Sequence, residues 1–341
     1  MARSTADYDE SDARIRPNPR GSRPRSKDRP AHADAVPGRV VGVDRGRYTT
    51  IVEDDTGGHV VTAMRARELG RKGIVLGDHV HLVGDVSGED GSLARIVRVS
   101  PRRTVLRRTA DDTDPVERVL VANADQLVVV CALAEPQPRP RMIDRCLVAA
   151  YDAGMDALLV LTKADLADPV PFLEQYAPLS VRHVVTARGE GPTEGLDELR
   201  SALSGRVSVL VGHSGVGKST LVNELVPDAA RATGVVNDVT GRGRHTSTSA
   251  VSLALPHDPG WVIDTPGVRS FGLAHVDPAR IVTHFPDLEP GTADCPRGCT
   301  HDEDECALDA WVASGSAGPS GPARLDSLRR LLRSRGTPAG D

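Results

Sequence analysis

The order of three short motifs constrains this chain more than their presence does. Gly212-His213-Ser214-Gly215-Val216-Gly217-Lys218-Ser219 fits the P-loop pattern, and Asp264-Thr265-Pro266-Gly267 follows it after about one strand–helix–strand unit. A loop of the kind that reads a purine base, Thr162-Lys163-Ala164-Asp165, stands upstream of the P-loop. In the usual arrangement that loop comes last. A chain that keeps every part but starts in the middle folds into a circularly permuted nucleotide-binding sheet.

Composition sets the frame around that domain. At 341 residues, a prior of roughly 150 residues per domain gives two or three domains. Hydrophobic residues make up 39%, enough for globular cores, and the formal net charge of −5 is too mild to announce a polyanionic partner. No apolar run approaches the ~20 residues of a membrane span; Leu127 to Ala134 is about the longest. The N-terminus lacks the charged-then-apolar pattern of a secretory signal, so a cytoplasmic, reducing location is expected, with no membrane partner. Three of the five cysteines crowd toward the C-terminus, which favours a metal site over a disulfide framework.

Four regions follow from patterning. Residues 1–37 are poor in apolar side chains and are expected to form a disordered arm. Its basic part, Arg14 to Arg29, is either a solvated tail or an arm for RNA phosphates. Residues 38–105 carry five short β-like runs, Arg39–Val43, Tyr48–Glu53, His59–Met64, His79–Val83 and Ala94–Val99. Turns rich in Gly and Asp separate them, which suits an OB-fold barrel; an SH3-like barrel fits the same spacing. Arg65, Arg67, Arg71 and Lys72 between strands favour RNA contact. Pro101–Glu117 reads as a linker. Strands and helices then alternate through residues 106–275, as in a doubly wound α/β sheet: strands at Gln126–Leu133, Ala157–Leu161, Val181–Thr186, Val207–Val211 and Trp261–Ile263, helices at Arg141–Ala153, Glu194–Leu203 and from Lys218 to Leu225. Residues 276–341 form a small, mostly helical region that ends in an amphipathic helix, Pro322–Arg335, with Leu325, Leu328, Leu331 and Leu332 on one face.

The P-loop has the context that gives it meaning, an apolar strand before and a helix after. Its glycines let backbone N–H groups converge on phosphate oxygens at a helix N-terminus. Gly212, His213, Ser214, Gly215, Val216, Gly217, Lys218, Ser219 and Thr220 are therefore expected to hold the phosphates, with Lys218 on the β/γ groups. Ser219 and Asp264 are the expected Mg²⁺ ligands, with Thr246 as the third, and the Gly267 N–H is placed to sense the γ-phosphate. A carboxylate accepts from both N1–H and the exocyclic amine of guanine, whereas adenine offers no such donor pair. Asp165 thus selects GTP, with the Lys163 stem along the base and Thr162 keeping a side-chain oxygen where Asn is more common. Thr186-Ala187-Arg188 resembles a second base-contacting loop, which makes Thr186 and Ala187 binding candidates. In Ras-like proteins a Gln after the Asp-x-x-Gly element orients the attacking water; here Val268 stands there. His245, in Gly241-Arg242-Gly243-Arg244-His245-Thr246-Ser247-Thr248, is the candidate catalytic group, and Arg242 or Arg244 could stabilise charge or bind RNA. Slow turnover without a partner is expected.

Cys295, Cys299, His301 and Cys306 offer three sulfurs and an imidazole within twelve residues. That donor set suits one closed, tetrahedral, structural Zn²⁺ per chain. Cys131 and Cys146 read as core residues.

Taken together, the barrel, the order of Thr162–Asp165, Gly212–Ser219 and Asp264–Gly267, and the cysteine cluster resemble the ribosome small-subunit-dependent GTPase family, RsgA or YjeQ. Asn123-x-Asp125-Gln126, Asp144-Arg145 and Gly241–Thr246 add to the match, which spans Arg39 to Arg335. The resemblance implies an OB-fold, a permuted GTPase domain and a zinc domain. It also implies binding of a monomer to 16S rRNA in the maturing 30S subunit, with hydrolysis of GTP to GDP stimulated there, and it places the family's catalytic histidine on His245. The chain departs from the family in having three residues between Cys295 and Cys299, where four are usual, and in Thr246-Ser247-Thr248, which leaves the switch hydroxyl open among the three. An RNA-binding scaffold with a slow GTP-controlled switch is the other reading, and an ATP-using P-loop enzyme a third that Asp165 argues against.

Overall fold

The run Gln126–Ala132 is buried at every position, so the strand it forms must be covered on both faces. In the computed structural model it is strand β8, near the middle of a six-stranded sheet of order β10-β9-β8-β11-β13-β12. The structure describes residues 32–53, 58–69, 73–108, 118–189, 191–227, 250–265, 271, 273 and 276–334. β9 (Asp156–Thr162), β10 (Arg182–Val185), β11 (Val207–Val211) and β13 (Trp261–Asp264) run parallel to β8. β12 (Val251–Ala254) closes one edge antiparallel to β13.

Alternate residues of β8 face different cores. Leu127, Val129 and Cys131 pack with Ile143 and Leu147 of helix α1 (Pro140–Asp152). Val128 and Val130 pack with Leu221 and Val222 of helix α4 (Lys218–Leu225) and Leu199 of helix α3 (Leu196–Leu203). The helices that follow β8 and β11 thus lie on opposite faces, and their connections part at the carboxyl ends of the strands, where doubly wound sheets bind ligands. Helix α2 (Val170–Tyr176) joins the α1 face through Phe172 and Tyr176.

Upstream, β1 (Val36–Asp44), β2 (Arg47–Val52), β3 (His59–Arg65), β4 (His79–Gly84) and β5 (Ala94–Val99) close a barrel of order β1-β2-β3-β5-β4. Antiparallel β1–β4 pairing and parallel β3–β5 pairing give the OB-fold. The expected linker is partly structured. β6 (Val105–Arg108) pairs with β7 (Arg118–Ala122), and Leu106 and Val121 are buried against the α1 face.

Polar groups make the joint between barrel and sheet. Asn123 adopts the left-handed backbone region (φ 57°), which Asn tolerates well. Its amide donates to the Gly77 carbonyl (2.9 Å) and accepts from the Arg103 N–H (2.8 Å). Asp125 accepts from the Val207 N–H (2.7 Å), and Gln126 donates to the Ala202 carbonyl and the Ser208 hydroxyl. Arg39 lies over the Trp261 ring at 4.0 Å. The family-like triplet at 123–126 therefore serves the scaffold.

The C-terminal part packs on the α1 face. Leu325, Leu328, Leu331 and Leu332 of the terminal helix (Gly321–Ser334) join Phe285, Leu288 and Leu308 there, as the leucine stripe requires. No helix among the described residues is long and apolar enough to cross a membrane.

Candidate nucleotide site and metal centre

The connections after β9, β10 and β11 meet around a cavity of about 500 Å³. Each leaves the carboxyl end of its strand, so one edge of the sheet presents all three. Gly212 can carry no side chain: a Cβ there would meet the Val130 carbonyl oxygen at 2.5 Å. Gly215 and Gly217 have φ of 84° and 92°, a region costly for residues with a Cβ. Gly217 caps α4, so the free N–H groups of its first turn open onto the cavity. Val216 is buried beneath the loop, which is why an apolar residue stands between two glycines.

Of the sequence candidates, Thr162, Lys163, Thr186, Ala187, Gly212, His213, Ser214, Gly215, Gly217, Lys218, Ser219 and Thr220 line the cavity. The base-reading loop is fastened to the P-loop: the Thr162 hydroxyl donates to the Val216 carbonyl at 2.7 Å. Lys163 sits at φ 61° and its ammonium donates to the Glu135 carbonyl, which fixes the tip and leaves the methylene stem along the wall. The Ala164 N–H donates to the Thr186 carbonyl (3.1 Å) and the Arg188 N–H to Asp165 Oδ1 (2.9 Å), so the two base-side loops hold each other. Asp165 is exposed and is not among the residues that line the cavity, and its Oδ2 is not used by that bond.

At the other end, Lys218 Nζ donates to Asp264 Oδ1 at 2.8 Å, with the Thr265 carbonyl at 3.5 Å. The P-loop cation and the carboxylate after β13 are thus in direct contact. His245, Thr246, Arg242, Arg244, Ser247, Thr248, Gly267 and Val268 lie outside the described residues, as do most of the N-terminal arm and Arg71 and Lys72. Sequence reasoning missed Thr193, which lines the cavity and donates to Glu224 Oε1 of α4 (3.0 Å). Only the tertiary contact gives it a role.

Cys295, Cys299, His301 and Cys306 present four ligand atoms that all lie within 4.8 Å of one another. Cys295 Sγ is 3.7 Å from His301 Nδ1 and 3.9 Å from Cys306 Sγ, and Cys306 Sγ is 3.9 Å from His301 Nδ1. Metal–sulfur and metal–nitrogen bonds of about 2.3 and 2.0 Å in a tetrahedron give edges of about 3.5–3.8 Å, and the three distances among Cys295, His301 and Cys306 come close to them. His301 occupies the left-handed region (φ 68°), and burial lowers its pKa, which favours the neutral imidazole that a ligand must be. Arg329 of the terminal helix donates to the His301 carbonyl (3.0 Å) and pairs with Asp309, while Arg333 pairs with Asp302. Three-residue spacing between the first two cysteines is therefore no obstacle to chelation.

A family model described as RsgA GTPase matches residues 99–274. The chain belongs to the RsgA GTPase family. A Gemmatimonas aurantiaca protein named small ribosomal subunit biogenesis GTPase RsgA is 36% identical over 269 residues, covering 77% of this chain and 85% of that protein. A Pseudomonas aeruginosa protein of the same name is 40% identical over 249 residues, 70% of each chain. Among solved structures, YjeQ from Thermotoga maritima matches with a TM-score of 0.63 at 27% identity, covering 88% of this chain and 98% of that one. YloQ, described as a circularly permuted GTPase, matches at TM-score 0.61 and 21% identity, a likeness of fold. As an RsgA-family member the chain is a GTP hydrolase, and the permuted order read from its motifs is that of the family's fold.

Proposed function

We propose that this GTPase acts in late maturation of the 30S ribosomal subunit, in the cytoplasm, as a monomer whose hydrolysis the small subunit stimulates. The observation that carries the reading is the meeting of the Thr162–Asp165 loop, the Thr186–Arg188 loop and the P-loop around one cavity in a chain whose relatives bear a small-subunit biogenesis name. Asp165 selects guanine, the Thr162 tie holds the base loop against the P-loop, and the α4 N-terminus with Lys218 takes the phosphates. Lys218 exchanges its bond to Asp264 for phosphate oxygens, which frees the carboxylate. Ser219 and Asp264, with a hydroxyl of the 246–248 segment, would then hold Mg²⁺, which neutralises charge on the β- and γ-phosphates. His245 is the residue proposed to orient the attacking water, and the Gly267 N–H to sense the γ-phosphate. With Val268 where a water-orienting Gln would stand, intrinsic turnover is slow and the subunit completes the site.

Cys295, Cys299, His301 and Cys306 would hold one Zn²⁺, whose role would be to fasten the C-terminal loops beneath the terminal helix rather than to take part in hydrolysis. The barrel and its arginines face 16S rRNA. The domain assignment follows: an arm to residue 37, the barrel at 38–105, the GTPase domain at 106–275 and the zinc region at 276–341. The test is phosphate release from GTP by the full chain, alone and with 30S, 50S or 70S particles. Strong stimulation confined to 30S is expected. Equal rates in all four conditions would refute the ribosome-dependent mechanism. A His245→Ala protein that fails to hydrolyse GTP yet completes 30S maturation would favour the scaffold reading.

A further inference from the structure

Prolines and polar side chains alternate where the chain leaves β8 for α1: Pro136-Gln137-Pro138-Arg139-Pro140-Arg141. Each proline fixes its own φ and keeps the residue before it out of the helical region. The loop is therefore stiff, and it carries its side chains at set positions. Gln137, Arg139 and Arg141 are exposed. The root of the loop touches both nucleotide loops: the Glu135 carbonyl accepts from Lys163, and the Pro136 ring is 3.6 Å from the position that a Cβ on Gly215 would take. The loop thus starts between the base-reading loop and the P-loop, at the carboxyl edge of the sheet.

Local physics disfavours cations at this place. Arg139 is the N-cap residue of α1, its side chain makes no cap bond, and the first turn holds no acidic residue. Ser, Asp or Asn would satisfy the free N–H groups there, and positive side chains oppose the helix dipole at that end. Nor do acids compensate. Asp144 further along the helix is buried and paired with Arg330, and among the described residues neither Arg139 nor Arg141 has a side-chain hydrogen bond or ion pair. Exposed arginines elsewhere do find carboxylates: Arg200 on Asp197, Arg280 on Asp152 and Arg333 on Asp302. Two stiffly held cations, set against the dipole and left unneutralised, break a local rule with no structural gain, which marks a contact made outside the chain. Guanidinium groups match phosphate oxygens in geometry and charge. We propose that Arg139 and Arg141 contact phosphates of an RNA backbone, which makes the loop between β8 and α1 an RNA-contact surface of the GTPase domain, distinct from the barrel. The inference rests on the small-subunit reading, which supplies the RNA.

Binding of the full chain to purified 30S subunits, loaded with a non-hydrolysable GTP analogue and followed by fluorescence anisotropy over a series of salt concentrations, tests it. The variants are the double substitution Arg139→Ala/Arg141→Ala and the single Arg139→Asp. Two phosphate contacts predict that the double variant binds about ten- to fiftyfold more weakly at about 0.1 M salt, with a slope of log affinity against log salt shallower by about 1.4–1.8. Since both side chains are exposed, the double variant should melt with the parent. Arg139→Asp caps α1 and reverses an unfavourable charge, so it should melt about 2–4 °C above the parent and yet bind 30S more weakly. Unchanged 30S affinity in the double variant would overturn the proposal. So would an Arg139→Asp protein that melts below the parent, because the guanidinium would then serve the loop itself. A loss of affinity with an unchanged salt slope would overturn it in favour of an acidic protein surface. A parent protein that binds no 30S particle removes the small-subunit reading and this inference together.

Discussion

Asp165→Asn is the substitution whose outcome the structure determines most closely. Asp165 Oδ1 accepts the Arg188 N–H at 2.9 Å. An asparagine here keeps that bond only with its amide oxygen toward Arg188, so the backbone sets the flip and turns the NH₂ toward the base. Guanine then meets donors with its own N1–H and amine. Two charge-assisted hydrogen bonds, each of about 1.5–3 kcal/mol, are lost, which is a drop of roughly 10²–10⁴ in GDP affinity. Xanthine carries a carbonyl where guanine carries the amine, so the same NH₂ can donate to it, and xanthosine diphosphate should bind the variant more tightly than GDP. Competitive displacement of a fluorescent nucleotide by GDP and xanthosine diphosphate, on parent and variant, gives both numbers. A variant that keeps parental GDP affinity, or that loses GDP without gaining the xanthine nucleotide, would refute the geometry derived from the Arg188 contact.

Other perturbations test the scaffold. Cys306→Ser removes a buried ligand that also begins the helix Ala307–Ala313; elemental analysis should fall from one metal ion per chain to near none, with a lower melting temperature that added metal does not restore. Asp78 is fully buried and paired with Arg102 at 2.7 Å, so Asp78→Ala leaves a half-buried guanidinium uncompensated and should cost about 3–5 kcal/mol in denaturant unfolding. Buried Arg145 donates from Nε to the Phe271 carbonyl (3.0 Å) and from a terminal nitrogen to the Ser334 carbonyl (2.6 Å). Arg145→Met should cost about 2–5 kcal/mol, since burying a carbonyl without its donor costs about 1–3 kcal/mol each, and urea unfolding measures it.

The parts most legible in the sequence are those whose chemistry constrains the backbone itself. Val207–Val211 and Lys218–Leu225 stand at the bounds the sequence suggested, because a buried parallel strand, a glycine turn and a helix N-terminus each leave a local mark. The Cys/His cluster is legible for a similar reason: four ligand-type residues that meet within twelve positions leave their spacing in the chain. β6 was hidden in an apparent linker because four residues, with only Val105 and Leu106 apolar, gain their register from β7 ten residues away. β12 is likewise a four-residue edge strand that only β13 defines. In the terminal helix Arg324 pairs with Asp287, Arg329 with Asp309 and Arg333 with Asp302. Partners distant in sequence carry no local pattern, and neither does Thr193 on Glu224.

Permutation has a mechanical consequence that these contacts make concrete. In this order β13, which ends at Asp264, is the last strand of the sheet among the described residues, and the described elements that follow it in the chain belong to the C-terminal region. The next described residue after Thr265, Phe271, is fully buried, and its carbonyl is held by Arg145 of α1. The same guanidinium holds the last turn of the terminal helix through Ser334, and that helix holds the Cys/His loop through Arg329 on the His301 carbonyl. Hydrogen bonds therefore connect Phe271, through Arg145 of α1 and the terminal helix, to the loop that carries His301. In an unpermuted sheet this exit leads on to further strands; here the elements that follow pack on the α1 face of the same core. A partner that shifts the terminal helix has to work against the charge-assisted hydrogen bonds of Arg145 to Phe271 and Ser334, and whatever effect such a partner has on nucleotide affinity is matched, by linkage, by an equal effect of the nucleotide on its binding.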